Sequence, residues 1–209
     1  MQHARKERLP ATRQFTTTRS VQRHMLEAAP PARDQLRIVV RTRAYLDSMA
    51  ARMGSTEGFV VEPLIGDLVS ACYRDLPSGR RPIVPADLTT LQLDQPAALS
   101  MCKANSHNSL APLATLWRAL PRQGIGIIRN GDDVTGYLSA PGDWRPLAQQ
   151  LGGVVVAIPS VDTLLYARAA NPVDVDALAT LARQMNAQAS VPVSALVFRW
   201  TEHGWAPVP

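Results

Sequence analysis

The chain has 209 residues, of which 46% are hydrophobic and 19% are charged, and its formal net charge is +5. This apolar fraction is ordinary for a globular protein, and about 200 residues can enclose one sizeable hydrophobic core or two small ones. The composition therefore excludes wholesale disorder. No apolar run approaches the roughly 18 residues that a membrane-spanning helix needs, which excludes a membrane span.

The positive charge is concentrated at the N-terminus. Residues 1–43 carry a net charge of +7, and the remaining residues carry −2. We therefore predict a basic, flexible N-terminal arm over residues 1–33 and a single domain over residues 34–209. Phe15 is the only aromatic residue of the arm, so a solvated extension is favoured over a nucleic-acid arm. The basic residues that nucleic acid would meet there are Arg5, Lys6, Arg8, Arg13, Arg19 and Arg23.

Two features predict the compartment. Residues 1–30 lack the continuous apolar segment of a secretory signal peptide. The two cysteines, Cys72 and Cys102, are too few for a disulfide scaffold and lack the paired spacing of a zinc site. We therefore predict a cytoplasmic protein whose cysteines are reduced.

The first half of the chain begins with a predicted amphipathic helix. Apolar residues recur at helical spacing over residues 35–53, and Gly54 ends the pattern. Short apolar runs within residues 58–74 predict strands, although residues 64–72 also fit a helix. A loop is predicted over 76–82, and helices are predicted from 85, over 95–104 and over 110–120, with a break at 105–108.

The second half gives a clearer pattern. Residues 124–129 predict a strand, and Asn130-Gly131 predicts a hairpin turn because both residues tolerate positive φ. The apolar run 154–158 predicts a strand that is buried on both faces and pairs with 163–168. Helices are predicted over 143–151 and 174–188, and strands over 193–201 and 205–208. This order predicts an α+β domain, with an antiparallel or mixed sheet and helices packed mainly on one face.

The motifs exclude several classes of site. The chain has no phosphate-binding P-loop, and its Gly124-Ile-Gly126 segment lacks the third glycine of a dinucleotide site. None of the four histidines has a partner at metal-ligand spacing. Cys102 and His107 are close in sequence, but Cys102 lies on an apolar helical stripe, which favours a core residue over a nucleophile. We therefore predict no catalytic residue, no metal and no cofactor.

Acidic residues in two turns are candidate binding residues. Asp132 and Asp133 follow the predicted hairpin turn, where they form either an acid/base pair, a cation site or, as we favour, solvated turn residues. Thr135 follows them closely. Asp162 lies in a second turn, where its carboxylate can accept a backbone N–H.

The tryptophans leave two alternatives open. Trp200 and Trp205 flank the last predicted turn. They would form either an exposed patch of the kind that dominates binding interfaces or a cross-strand packing pair, and packing is the favoured alternative.

Several segments of the C-terminal half resemble a known family. An apolar strand ends in Pro159-Ser-Val-Asp162, and a later strand begins Val191-Pro192-Val193-Ser194. In these segments the chain resembles the YtpQ-like family of uncharacterised bacterial proteins. Residues 131–135 are similar to the family's Gly-Tyr-Asp-Ala-Ser segment, with Asp132 and Thr135 replacing Tyr and Ser. The resemblance covers residues 68–208 and implies a bacterial cytoplasmic context but no activity, since none is assigned to the family.

These features leave three functional hypotheses. The favoured one is a non-enzymatic protein-binding domain of the toxin-neutralising (immunity) or regulatory kind, because no catalytic constellation is visible and a mildly acidic body could meet a basic partner. The second is a hydrolase-type enzyme that uses Asp133, Thr135 and Asp162. The third is a nucleic-acid binder that uses the basic arm.

Overall fold

The structure, a computed structural model, describes residues 30–54, 57–116, 124–129 and 134–209. Two antiparallel sheets and several helices make up this part of the chain, which confirms the predicted α+β class. The strands are β1 Leu36–Thr42, β2 Val61–Ile65, β3 Leu68–Leu76, β4 Gly79–Pro82, β5 Gly126–Arg129, β6 Val154–Ser160, β7 Thr163–Arg168, β8 Val197–Thr201 and β9 Gly204–Pro207. The α-helices are α1 Arg43–Met53, α2 Pro85–Leu91, α3 Gln95–Ser109, α4 Leu113–Leu116, α5 Arg145–Leu151 and α6 Pro172–Gln188. Short 3-10 helices cover Arg33–Gln35, Val134–Ser139 and Pro141–Trp144.

The larger sheet has five strands in the order β5-β7-β6-β8-β9. Alternate side chains of β6 and β7 point to opposite faces, as the pleat requires. One face, with Val155 and Leu165, packs against Leu178 and Ala182 of α6. The other face, with Val156 and Leu164, enters the main hydrophobic cluster. Both faces of β6 are therefore buried, as its continuous apolar sequence predicted.

The smaller sheet has four strands with β3 at its centre. β1 pairs along one side of β3, while β2 and β4 share the other side. Helices lie on both faces of this sheet: Leu46 of α1 packs on the face of Val39 and Ala71, and α3 packs on the face of Ile38 and Cys72. Val40 and Leu68 belong to this second face and join the main cluster, so the two sheets share one core.

The first predicted helix is only half correct. Residues 36–42 form β1, and helix α1 begins at Arg43. In the strand, Ile38, Val39 and Val40 are all fully buried because both faces of the sheet are covered. A buried run of β-branched residues favours a strand, and this tertiary burial overrides the helical spacing of the sequence.

The two cysteines form a disulfide. Cys72 on β3 and Cys102 on α3 are both fully buried, and their Cα atoms are 6.1 Å apart. The predicted core position of Cys102 is confirmed, but the prediction of reduced cysteines is wrong in this structure. The cysteines are 30 positions apart in sequence, and the segment between them includes β4 and α2, so the bond ties these elements into the smaller sheet.

Other predicted elements also differ from the observed ones. Residues 76–82 form the β3–β4 hairpin instead of a loop, and α3 continues through the predicted break to Ser109. The predicted Asn130-Gly131 turn lies outside the described residues, and Val134–Ser139 after it form a 3-10 helix instead of the returning strand of a hairpin. This segment is fully buried up to Leu138 and packs against β1, so its conformation is set by the shared core and not by local turn propensity. None of the described helices is long and apolar enough to cross a membrane.

The boundary between the basic arm and the folded domain also differs from the predicted one. Arg33 donates to the Leu91 carbonyl oxygen at 2.8 Å, and the Asn105 amide donates to the Arg33 carbonyl oxygen at 2.8 Å, so the chain already contacts the fold at the predicted end of the arm. Residues 30–209 contain sixteen basic and fifteen acidic residues, a net charge of +1. Counted from residue 30, the folded part is therefore nearly neutral, and the net charge of −2 applies to residues 44–209 only.

Candidate functional site

The predicted catalytic trio does not assemble in the described part of the chain. Asp133 lies outside the described residues, as does Asp132. Thr135 is fully buried, and its hydroxyl oxygen accepts the Val40 N–H at 3.2 Å. Asp162 is exposed on the β6–β7 turn and lines a pocket that does not include Thr135. The Thr135 side chain therefore has a structural partner, and of the two described members of the trio only Asp162 lies in an accessible site.

Trp200 and Trp205 connect the larger sheet to the neighbouring 3-10 helices. The two residues face each other across β8 and β9. The Trp200 indole N–H donates to the Pro141 carbonyl oxygen at 2.8 Å, and that of Trp205 donates to the Leu138 carbonyl oxygen at 3.0 Å. The ring of Trp205 also meets the ring of buried Trp144 edge-on at 5.2 Å. These contacts favour the packing alternative over an exposed binding patch.

The pocket at Asp162 has a volume of about 340 Å³. It lies at the end of the larger sheet, where β5 ends at Arg129 and β6 turns into β7. The last turn of α6 and the residues after it form the opposite wall. The Asn186 side chain of α6 donates to the Pro159 carbonyl oxygen at 2.8 Å, which ties the end of the helix to the end of β6. The lining residues are Arg129, Ser160, Asp162, Thr163, Met185, Gln188, Ala189 and Ser190.

The Asp162 carboxylate is fixed by its neighbours. Its Oδ1 atom accepts the Ser160 hydroxyl at 2.6 Å and the Thr163 hydroxyl at 3.1 Å. The Ser160 hydrogen bond lowers the pKa of the Asp162 carboxyl, and Thr163 and the positive charge of Arg129 lower it further. No described residue donates a side-chain hydrogen bond to Oδ2, so this oxygen can accept one from a ligand.

The electrostatics of this pocket favour a cation beside Asp162. The carboxylate carries a full negative charge, and the C-terminus of the 17-residue helix α6 adds the partial negative charge of its last carbonyls. Arg129 supplies the one positive charge among the described residues of the lining. The pocket can therefore pair an ammonium or guanidinium group with Asp162 while Arg129 meets a neighbouring carbonyl or carboxylate.

The described residues contain no group of three or more His, Cys, Asp or Glu side chains that could hold a metal ion.

The chain has also been compared with known protein families, curated proteins and solved structures, and none of them matches.

The sequence indicated part of this site. The sequence identifies Asp162 as a turn residue, but it does not identify the two hydroxyls that bond the carboxylate as its partners. Their signal is present, because Ser160 and Thr163 flank the turn and Ser and Thr hydroxyls commonly bond nearby groups. Arg129 and the end of α6 could not be found this way, since only strand pairing and helix packing bring them to Asp162.

Proposed function

We propose that this chain is a non-enzymatic protein-binding domain that holds a basic side chain of its partner in the Asp162 pocket. The observation that carries the proposal is an exposed carboxylate with a lowered pKa, fixed by two hydroxyls on a turn that is tied to α6. Such a preorganised acceptor loses little entropy when a lysine or arginine side chain binds.

The chemistry of the pocket supports binding over catalysis. A carboxyl with a lowered pKa is a poor general acid or base near neutral pH, where an efficient catalyst has a pKa close to the operating pH. Ser160 donates its hydroxyl hydrogen to Asp162, and none of the described residues that line the pocket is a histidine that could activate that hydroxyl as a nucleophile.

We propose that the partner is a toxin or effector, which this chain neutralises by binding. The alternative partner is an enzyme that the chain regulates. Because residues 30–209 carry a net charge of only +1, long-range attraction is weak and recognition must come from local complementarity at the pocket. Membership in the YtpQ-like family would fit this assignment and adds no activity to it.

The cytoplasmic location remains a prediction. The buried Cys72–Cys102 disulfide weighs against it, because the cytosol of most bacteria keeps protein thiols reduced.

A photo-crosslinking experiment tests the proposed interface. A photoreactive amino acid replaces Gln188 on the pocket wall in one variant and the exposed Gln149 on α5 in a control variant. Irradiation in lysate of the organism that encodes the chain should give a discrete heavier adduct only at position 188. Asp162→Asn should abolish this adduct, whereas Asp176→Asn, which changes an exposed carboxylate on α6, should leave it intact. Equal adducts at both positions, or none at any salt concentration, would refute the proposal.

A further inference from the structure

A second cavity lies where α3 ends and the chain leads into α4. Its volume is about 590 Å³, within the range of roughly 300–1,000 Å³ that small-molecule sites occupy. The cavity is formed by the last turn of α3, the segment that leads into α4, and residues of the 3-10 helices and α5. The lining residues are His107, Asn108, Leu110, Ala111, Pro112, Leu113, Ala114, Tyr137, Gly142, Asp143 and Pro146.

Most of the wall is apolar, and the polar groups have defined positions. Leu110, Leu113 and Pro146 contribute hydrocarbon surface. The Tyr137 hydroxyl donates to the Ala111 carbonyl oxygen at 2.8 Å, which fixes the tyrosine beside the segment that precedes α4. A site of this type favours a ligand with an apolar body and one polar group.

A histidine–aspartate pair lies at this cavity. The Nδ1 atom of His107 lies 3.1 Å from Oδ2 of Asp143. This contact orients the imidazole ring and leaves its Nε2 edge for other partners. His107 is in the last turn of α3, where the helix dipole places partial negative charge.

The balance of charge selects the ligand. Among the described residues that line the cavity, Asp143 carries the one formal negative charge, and none is a lysine or an arginine. Burial raises the pKa of the Tyr137 hydroxyl, and the negative charge of Asp143 raises it further. The Asp143 charge is therefore felt by another group of the cavity lining. An anionic ligand would therefore meet repulsion from both Asp143 and the end of α3, and a cationic one would meet attraction.

We propose that this cavity binds a small organic amine, with the ammonium group at Asp143 and an apolar body against Leu110, Leu113 and Pro146. The site is distinct from the Asp162 pocket, since none of the described lining residues belongs to both. It would give the protein a small-molecule input separate from partner binding.

Three probes that differ only in their polar group test this proposal. The full chain is titrated with benzylamine, benzyl alcohol and benzoate, and amide chemical shifts of the α3–α4 segment are followed by NMR. Benzylamine should bind about tenfold more tightly than benzyl alcohol, and benzoate should bind most weakly. Asp143→Asn should reduce the affinity for benzylamine about tenfold and leave that for benzyl alcohol unchanged.

The control for folding and for general charge effects is Asp176→Asn, which removes an exposed carboxylate on α6. It should retain the full preference for benzylamine. Equal affinities for the three probes, an unchanged preference in Asp143→Asn, or no shift changes with benzylamine at about 10 mM would each overturn the proposal. These readouts do not depend on the crosslinked partner, so the two proposals can fail separately.

Discussion

The larger sheet is stabilised by apolar packing on both faces, whereas the smaller sheet also depends on covalent and polar links. In the larger sheet, α6 covers one face and the main cluster around fully buried Trp144 covers the other. In the smaller sheet, the disulfide joins β3 to α3, and Asp75 pairs with Arg37 and Arg80 across neighbouring strands. The difference shows that a sheet whose two faces are already covered by apolar packing can be held further by a disulfide and by ion pairs between its strands.

The largest effect is expected from Trp144→Ala. This substitution removes the largest fully buried side chain of the shared core and leaves the Tyr137 carbonyl without its 2.8 Å indole donor. Truncation of a buried tryptophan should lower the free energy of unfolding by about 4 kcal/mol, measured by urea denaturation. Because the cluster includes residues of both sheets, hydrogen exchange should accelerate in β1 and β6 together. Acceleration in β6 alone would show that the sheets unfold independently.

Reduction of the disulfide tests the smaller sheet. Opening a loop of this length should reduce stability by about 3 to 4 kcal/mol, because the reduced unfolded chain gains conformational freedom. For a fold of this size the expected decrease in Tm is about 10 °C, measured with and without reductant. Hydrogen exchange should increase most in β3 and α3.

The Cys72→Ala/Cys102→Ala variant is the control for reduction. Its Tm should be low and insensitive to reductant. Two free thiols in the oxidised, denatured wild-type chain, detected by alkylation and mass, would contradict the disulfide and restore the prediction of reduced cysteines.

An alkaline titration should distinguish a tyrosine of the smaller sheet from those of the shared core. Burial raises the pKa of Tyr73 from 10.0 to about 12, although the nearby Arg41 charge lowers it. The folded state therefore binds the proton more tightly than the unfolded state, so stability is complete below pH 10 and decreases as the pH rises to 12. The expected loss is about 2 to 3 kcal/mol for Tyr73, measured by urea denaturation.

Tyr73→Phe is the matched variant for this titration. The buried Tyr73 hydroxyl has no hydrogen-bond partner among the described residues, so its removal should raise the stability at pH 7 by about 1 kcal/mol. The loss between pH 10 and 12 should become smaller but not vanish, because burial also raises the pKa values of Tyr137 and Tyr166. An unchanged alkaline profile would show that Tyr73 titrates normally.

The sequence predicted the larger sheet better than the smaller one, for a physical reason. Strands β6 and β7 and helix α6 have local patterns that agree with their final burial, so periodicity identified them. The local pattern of strand β1 does not agree with its burial, because β3 and α3, which bury it, lie far away in sequence. The same limit applies to the pockets. The carboxylates Asp162 and Asp143 are visible in the sequence, but Arg129 and His107 reach them only through tertiary packing.

The smallest expected effect concerns β1, an edge strand of the smaller sheet. In the described part of the chain, side chains and not another strand accept hydrogen bonds from its outer backbone N–H groups. The Ile38 N–H donates to the buried Ser106 hydroxyl at 2.8 Å, and the Val40 N–H donates to the buried Thr135 hydroxyl at 3.2 Å. Thr135→Val keeps the side-chain volume but leaves the Val40 N–H buried without an acceptor, which should cost about 1 to 3 kcal/mol. Thr135→Ser keeps the hydroxyl and should cost less, as measured by urea denaturation. Equal stability of the two variants would show that the hydrogen bond of the Thr135 hydroxyl adds nothing to the stability of the fold. The hydroxyl would then have no structural role that conflicts with a catalytic one.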